Sequence, residues 1–146
     1  MRPALGFRPY RHGDADQIDA RADFAAEQAA MGWPLRQARP RGEAWTITRD
    51  GQPIGCGGVA YDRQDKVWRG WLYLSDLSRR EWAHALRTSK HALDYVDQHA
   101  GVSIEASAMF ENKAALRTLH RLGFVFERGG FTHGDEPYVQ FLREAA

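Results

Sequence analysis

Apolar side chains recur along this chain with two periods, and the switches between them predict an order of elements. Residues Ala4 to Tyr10 alternate loosely, with Leu5 and Phe7 ahead of Pro9, and read as a strand that the proline assigns to an end or an edge. Ile18, Ala22, Ala25 and Ala29, with Phe24 beside them, form a helical stripe that Asp14 or Asp16 can cap and Gly32 can end. From Trp33 to Gly42, two prolines, one glycine and three arginines break the period; Arg36, Arg39 and Arg41 are expected in a solvated loop. Trp45-Thr46-Ile47-Thr48 has strand composition, and Asp50-Gly51 signals a hairpin whose return strand runs from Pro53 to Tyr61. Inside that return strand, Gly55-Cys56-Gly57-Gly58 predicts a bulge or a close backbone approach. It is not a phosphate loop, since no Gly-Lys-Ser/Thr and no helix follow it. A polar turn, Asp62 to Lys66, leads into the aromatic strand Val67 to Leu74, with Trp68, Trp71 and Tyr73.

Ser78-Arg79-Arg80-Glu81 fits a capping box, in which the serine caps the helix and the glutamate caps the serine in return. The helix it opens carries Trp82, Leu86, Leu93 and Val96 on one side, runs to about His99 and ends at Gly101. After a short strand, Val102 to Ala106, comes a compact helix from Asn112 to Phe124. Asn112 supplies the N-cap, and Ala115, Leu116, Leu119 and Leu122 make the apolar stripe. Arg117, His120 and Arg121 put positive charge toward the C-terminal end, where the helix dipole favours it. Gly123 supplies the left-handed stop, and Phe124 the hydrophobic contact beyond it. Phe124 to Glu127 is another strand, Gly129-Gly130 and His133-Gly134-Asp135 mark turns, and Tyr138 to Leu142 is the last strand. The resulting order is β-α-β-β-β-α-β-α-β-β: an antiparallel meander followed by a crossover that makes two strands parallel.

Composition narrows the class. A chain of 146 residues with 43% hydrophobic and 27% charged residues is expected to form a single domain over 1–146 with its own core. The net charge of +1 gives no nucleic-acid footprint, which would rest on Arg36, Arg39, Arg41, Arg79 and Arg80 alone. The single cysteine, Cys56, excludes an internal disulfide framework and fits a reducing compartment. No apolar run approaches the ~18 residues of a membrane span, and the N-terminus lacks a secretory block. A soluble, cytoplasmic protein without a membrane partner is expected. Among the six histidines, His84 and His91 stand seven apart on one helix, too far to chelate one ion, and His12, His99 and His133 lack ligands at useful spacing. No metal is expected. Cys56 reads as a buried thiol, and no Gly-x-Ser-x-Gly elbow occurs.

The element order, taken with Asn112-x-x-Ala115 on a short helix that ends in Leu122-Gly123-Phe124, resembles the GNAT superfamily of acyl-CoA-dependent N-acyltransferases. The resemblance covers nearly the whole chain, from Phe7-Arg8-Pro9 to the C-terminal hairpin, and its most specific part is the eleven-residue gap from Asn112 to Gly123. It implies an α/β (α+β) GNAT fold: a mixed, mostly antiparallel sheet of six or seven strands, splayed into a V between the fourth and fifth strands and flanked by three or four helices. It implies an acyltransferase that takes acetyl-CoA or another acyl-CoA as co-substrate and acylates an amine. The pantetheine arm would enter between Val67 to Leu74 and Val102 to Ala106, touching Leu72, Leu74 and Asn112. The pyrophosphate would lie on Arg79-Arg80-Glu81-Trp82-Ala83-His84, in place of the family's Arg/Gln-x-x-Gly-x-Gly/Ala loop. Arg79 matches its first position and Arg80 adds charge, whereas Trp82 and His84 replace the glycines and Glu81 adds a carboxylate. Leu119 stands where many members carry a tyrosine acid, and His120, about 100° around the helix, does not inherit the role. For a general base the candidates are Glu105 by location, then Tyr73 and Asp76. The expected partners are a small-molecule or protein amine acceptor and a second copy of the chain.

The stretch after the fourth strand, running into a basic helix without the glycine loop, also resembles a narrower group of phage-encoded GNAT-like proteins. That resemblance implies a non-catalytic alternative in virion assembly or host-protein binding.

Overall fold

Seven strands form one mixed sheet, in the order β1-β2-β3-β4-β5-β7-β6. The computed structural model describes residues 2–31, 42–133 and 136–145. The meander comprises β1 (Leu5–Pro9), β2 (Gly42–Arg49), β3 (Gln52–Asp62) and β4 (Val67–Leu74). Between β1 and β2 lies α1 (Ala22–Met31), and α2 (Arg79–Ala100) crosses from β4 to β5 (Ile104–Met109), which runs parallel to β4. A second crossover through α3 (Lys113–Arg121) leads to β6 (Val125–His133), and β7 (Glu136–Arg143) returns between β5 and β6. This is the expected element order. Gly32, Gly134, Asp135 and the predicted loop with Arg36, Arg39 and Arg41 lie outside the described residues.

Local chemistry accounts for most of the boundaries. Asp50 and Gly51 both take positive φ, 50° and 80°, as a two-residue hairpin between right-twisted strands requires. Ser78 and Glu81 form the reciprocal capping box of α2. The Asn112 side chain accepts the Ala115 N–H at 3.1 Å. At the other end of α3, the Phe124 N–H reaches the Leu119 carbonyl and the Gly123 N–H reaches the His120 carbonyl, around a Gly123 φ of 94°. That pair of bonds is a Schellman stop.

Three expectations are corrected, and the alternatives left open for the glycine run are resolved. Asp14 does not cap a long helix: residues Ala15–Gln17 make one 3-10 turn, Ile18 is extended, Ala20 bridges Ser75, and the helix starts only at Ala22. The reason is that the Asp14 carboxylate is already taken, by Arg8 at 2.7 and 3.0 Å, Thr46 at 2.6 Å and the Arg11 N–H at 2.7 Å. The β3 bulge falls at Ile54, just before the glycine run, because Ile47 faces Gly55 while Thr48 faces Pro53. The glycines themselves make the close approach that is the other expectation for this run: a Cβ on Gly58 would stand 2.7 Å from the Trp71 indole nitrogen and 2.9 Å from the Glu43 carbonyl. Gly129-Gly130 is a register shift inside β6 and not a turn, so β6 extends to His133. Finally, the fifth strand runs Ile104–Met109, two residues later than Val102.

The core lies between the sheet and its helices. In α2 the buried line is Glu81, Ala85, Ser89, Leu93 and Val96, with Trp82 and Leu86 packed along its flank. Small side chains at the centre of that line let the helix settle close to the strands, and their low hydrophobicity hides them from periodicity.

Candidate functional site

β4 and β5 are joined by two residue pairs only, Trp68 with Ile104 and Arg69 with Glu105. Beyond these the ladder stops, although β4 stays paired with β3 up to Leu74 and β5 with β7 up to Met109. The sheet therefore opens into a V toward the C-terminal ends of the two strands. Backbone amides and carbonyls on the facing edges of such a gap want hydrogen-bonding partners, and an extended ligand can supply them in the manner of an added strand.

A cavity of about 80 Å³ occupies the crotch of the V. Gly70 and Leu72 of β4, Ala106 and Ala108 of β5, and Ala115 and Leu119 of α3 are among its walls. Three hydroxyl side chains line it: Ser89 accepts the Trp45 indole N–H at 3.3 Å, the Thr118 hydroxyl donates to the Ala114 carbonyl at 2.8 Å, and Ser107 stands between Ala106 and Ala108 on β5. The rest of the lining is apolar.

The start of α1 spans the open end of the V. Its Arg21 N–H donates to the Leu74 carbonyl at 2.8 Å, at the end of β4. Asp23 holds the Arg21 guanidinium through two 2.6 Å bonds and also accepts from the Asn112 side chain, beyond the end of β5. Burial alone would raise the Asp23 carboxyl, but Arg21 and Asn112 hold it below the usual carboxylate range. The Arg21 guanidinium also lies 5.0 Å from the centre of the Phe24 ring and 5.1 Å from that of Trp82. Periodicity had nothing to say about Arg21 or Asp23. Neither sits on an apolar stripe, and the partners that place them at the mouth, Leu74, Trp82 and Asn112, lie about 50 to 90 residues away.

Next to this mouth, the N-terminus of α2 carries its own anion. Glu81 is 6% exposed, accepts from the Ser78 N–H at 2.9 Å and pairs with Arg49 at 2.9 Å. Burial opposes its charge, yet the Ser78 and Arg49 contacts hold its carboxyl below the ordinary range. Trp82 is half-buried against the core, and the His84 Nε2–H donates to the Gly6 carbonyl, 3.0 Å away, tying α2 to β1.

Solved structures of the same architecture exist. A spermidine N-acetyltransferase chimera from Vibrio cholerae and hSSAT superposes with a TM-score of 0.65 at 14% identity, over 97% of this chain and 95% of that one. A ribosomal-protein-S5-alanine acetyltransferase from Vibrio fischeri gives 0.66 at 12% identity, over 97% and 93%. A putative acetyltransferase from Salmonella typhimurium, solved with its cofactor acetyl-CoA, gives 0.62 at 11% identity, over 98% and 95%. The chain has the GNAT fold. No protein-family model matches its sequence, and no curated protein does.

Within this GNAT fold the expected site residues are dispersed. Leu72 lines the cavity, whereas Leu74 is fully buried and gives its carbonyl to Arg21. Asn112 stands at the mouth with its side chain shared between the α3 cap and Asp23. Arg79 and Arg80 are exposed in the first turn of α2, and Arg80 donates to the Pro3 carbonyl at 3.0 Å. Glu105 lies at the closed end, 3.4 Å from the Arg69 guanidinium. Tyr73 is buried in the splayed half, opposite Cys56. Four residues of β4 separate Arg69 from Tyr73, so Glu105 and Tyr73 stand ~13 Å apart along the strand. Asp76 is exposed in the turn before α2, and His120 is exposed at the end of α3. Leu119 does face the V, so the position that the resemblance gives to a tyrosine acid is here hydrocarbon. Burial pushes the Cys56 thiol up, which makes it an inert side chain at neutral pH.

Proposed function

We propose that the V is an acyl-CoA cleft and that the protein is an N-acyltransferase, moving an acyl group from a CoA thioester to an amine. The observation that carries this is the interrupted β4–β5 ladder, which ends at Arg69 and Glu105 above an apolar cavity. A pantetheine arm is extended, carries two amides and ends in a thioester, and so matches polar strand edges leading to a mostly apolar pocket. The amine nitrogen attacks the thioester carbonyl, the C–S bond breaks, CoA leaves as thiolate and the nitrogen loses one proton. Holding the two reactants together supplies much of the acceleration. Glu105 is occupied by Arg69 at the closed end, which favours Tyr73 over it for any proton transfer. A phenol is a donor at neutral pH, suited to the leaving sulfur and not to deprotonating an ammonium ion. The amine proton then passes to water. Among the described residues, Arg79 and Arg80 in the first turn of α2 and Arg21, paired with Asp23 at the mouth, are cations near enough to meet the phosphates. The acceptors named for other GNAT proteins include spermidine and a ribosomal protein; here the acceptor class is an amine on a small molecule or a protein.

Calorimetric titration with acetyl-CoA and longer acyl-CoAs tests the proposal. Saturable binding is expected, and no heat at millimolar ligand would sink it.

One observation favours a second reading. Glu81 places a carboxylate at the α2 N-terminus, where a pyrophosphate would otherwise use the free amides and the dipole. On this view the GNAT scaffold is a non-catalytic binding protein, for a virion or host protein in the phage-like case. A co-crystal with CoA seated in the V would count against it.

A further inference from the structure

We propose that the crotch cavity receives the hydrocarbon tail of the acyl group, so that the preferred donor is a butyryl-sized acyl-CoA and not acetyl-CoA. This rests on the acyl-CoA assignment of the V and goes beyond it by naming the chain length. Small side chains meet at this point from both strands and one helix: Gly70, Ala106, Ala108 and Ala115. Close packing is the rule in protein interiors, and a void left by such residues is destabilising unless something fills it. Apart from the Ser89, Ser107 and Thr118 hydroxyls, the lining is glycine, alanine, leucine and aromatic side chains, which suit an alkyl group better than a buried water with its need for two to four polar partners. No buried side-chain nitrogen or oxygen among the described residues is left without a partner. The pantetheine amides have the open β4 and β5 edges to bond, whereas the side chains around the cavity offer mostly apolar contact. Of the parts of an acyl-CoA, the acyl tail is the one that is purely hydrocarbon and lies at the end of the arm.

The size sets the length. The cavity holds about 80 Å³, roughly half the ~150 Å³ that accommodates benzene, which is room for about three carbons. A butyryl group has three carbons beyond its carbonyl; an acetyl group has one. Two additional buried methylenes strengthen binding by about 15-fold.

The test is a set of dissociation constants for acetyl-, butyryl- and octanoyl-CoA with the wild-type protein, followed by the Ala106→Val variant. Butyryl-CoA is expected to bind about 15-fold more tightly than acetyl-CoA, with no further gain for octanoyl-CoA. In Ala106→Val, whose extra methyls fill the cavity from β5, the butyryl-to-acetyl ratio should fall below about threefold. Ala115→Val, from the α3 side, should do the same if the first variant does not fold. Acetyl- and butyryl-CoA binding within twofold of each other in the wild type would overturn the chain-length proposal while leaving the acyl-CoA cleft intact. A steady gain through octanoyl-CoA would also overturn it, because the tail would then lie outside the cavity. Failure of all three to bind at millimolar concentration would remove the acyl-CoA assignment itself.

Discussion

The Asn112 side chain donates to the Asp23 carboxylate while its oxygen caps α3, so one amide ties the first turn of α1 to the first turn of α3. Because Arg21 is in turn bonded to the end of β4, this link closes the open end of the V. Asn112→Ala should lose about 1 kcal/mol for the cap, read from urea unfolding. Asn112→Asp keeps the capping oxygen but sets a second carboxylate against Asp23. It should be less stable than the wild type at pH 7 and regain stability as pH falls toward 4 and the pair takes up a proton.

The Arg21 guanidinium lies 5.1 Å from the centre of the Trp82 ring at the mouth. If it meets the phosphates of the donor, Arg21→Gln should weaken acyl-CoA binding about tenfold, the scale of one charge-assisted contact. The same variant should leave the binding of the matching S-acyl-pantetheine, which has no phosphates, unchanged. Equal loss for both ligands would make Arg21 a purely structural residue.

Leu119 faces the cleft from α3 and has no proton to give. Leu119→Tyr should raise kcat with acetyl-CoA by about tenfold or more, toward the range of general acid catalysis. The pH–rate profile should gain a descending limb near pH 10, where a phenol ionises. An unaltered kcat would show that a second acid adds nothing to the departure of the thiolate. The added ring also occupies the cavity, so any advantage of butyryl-CoA should disappear in this variant.

Asp14 is buried and Arg8 is its half-buried partner. Burial by itself would raise the Asp14 carboxyl, and the bonds from Arg8, Thr46 and the Arg11 N–H together hold it below its ordinary value. With a folded value below the unfolded one, the unfolded chain binds protons first, so stability rises with pH. The contribution is complete above about pH 5 and is lost as pH falls below about 4, through the folded value. Asp23 and Glu81 shift in the same direction and add to the slope. Asp14→Ala leaves Arg8 without its partner and should cost about 3 kcal/mol at pH 7, with a shallower dependence between pH 3 and 5. Urea unfolding at pH 3, 4 and 7 measures both.

The order of elements, the Asp50-Gly51 hairpin, the capping box at Ser78 and the α3 helix from Asn112 to Gly123 were all determined by the sequence alone. Each depends on contacts within about ten residues, where the side chain that makes the contact and the backbone it acts on are neighbours in the chain. Leu119 was legible for the same reason: it lies seven residues from Asn112 on a helix whose ends are marked. What the tertiary structure decided is everything that depends on distant partners. Asp14 could cap a helix by local rules, but Thr46, far along the chain on β2, takes its carboxylate together with the nearby Arg8, and the helix starts eight residues later, at Ala22. Glu105 has the right place on its strand for a base, but Arg69 stands opposite it where β4 and β5 still pair. The cavity is made by glycines and alanines, which carry almost no signal in a hydrophobic pattern. The closure of the V needs Arg21, Asp23 and Asn112 to meet from two parts of the chain. Short-range hydrogen bonding writes itself into sequence; voids and long-range ion pairs come into being only when the sheet has formed.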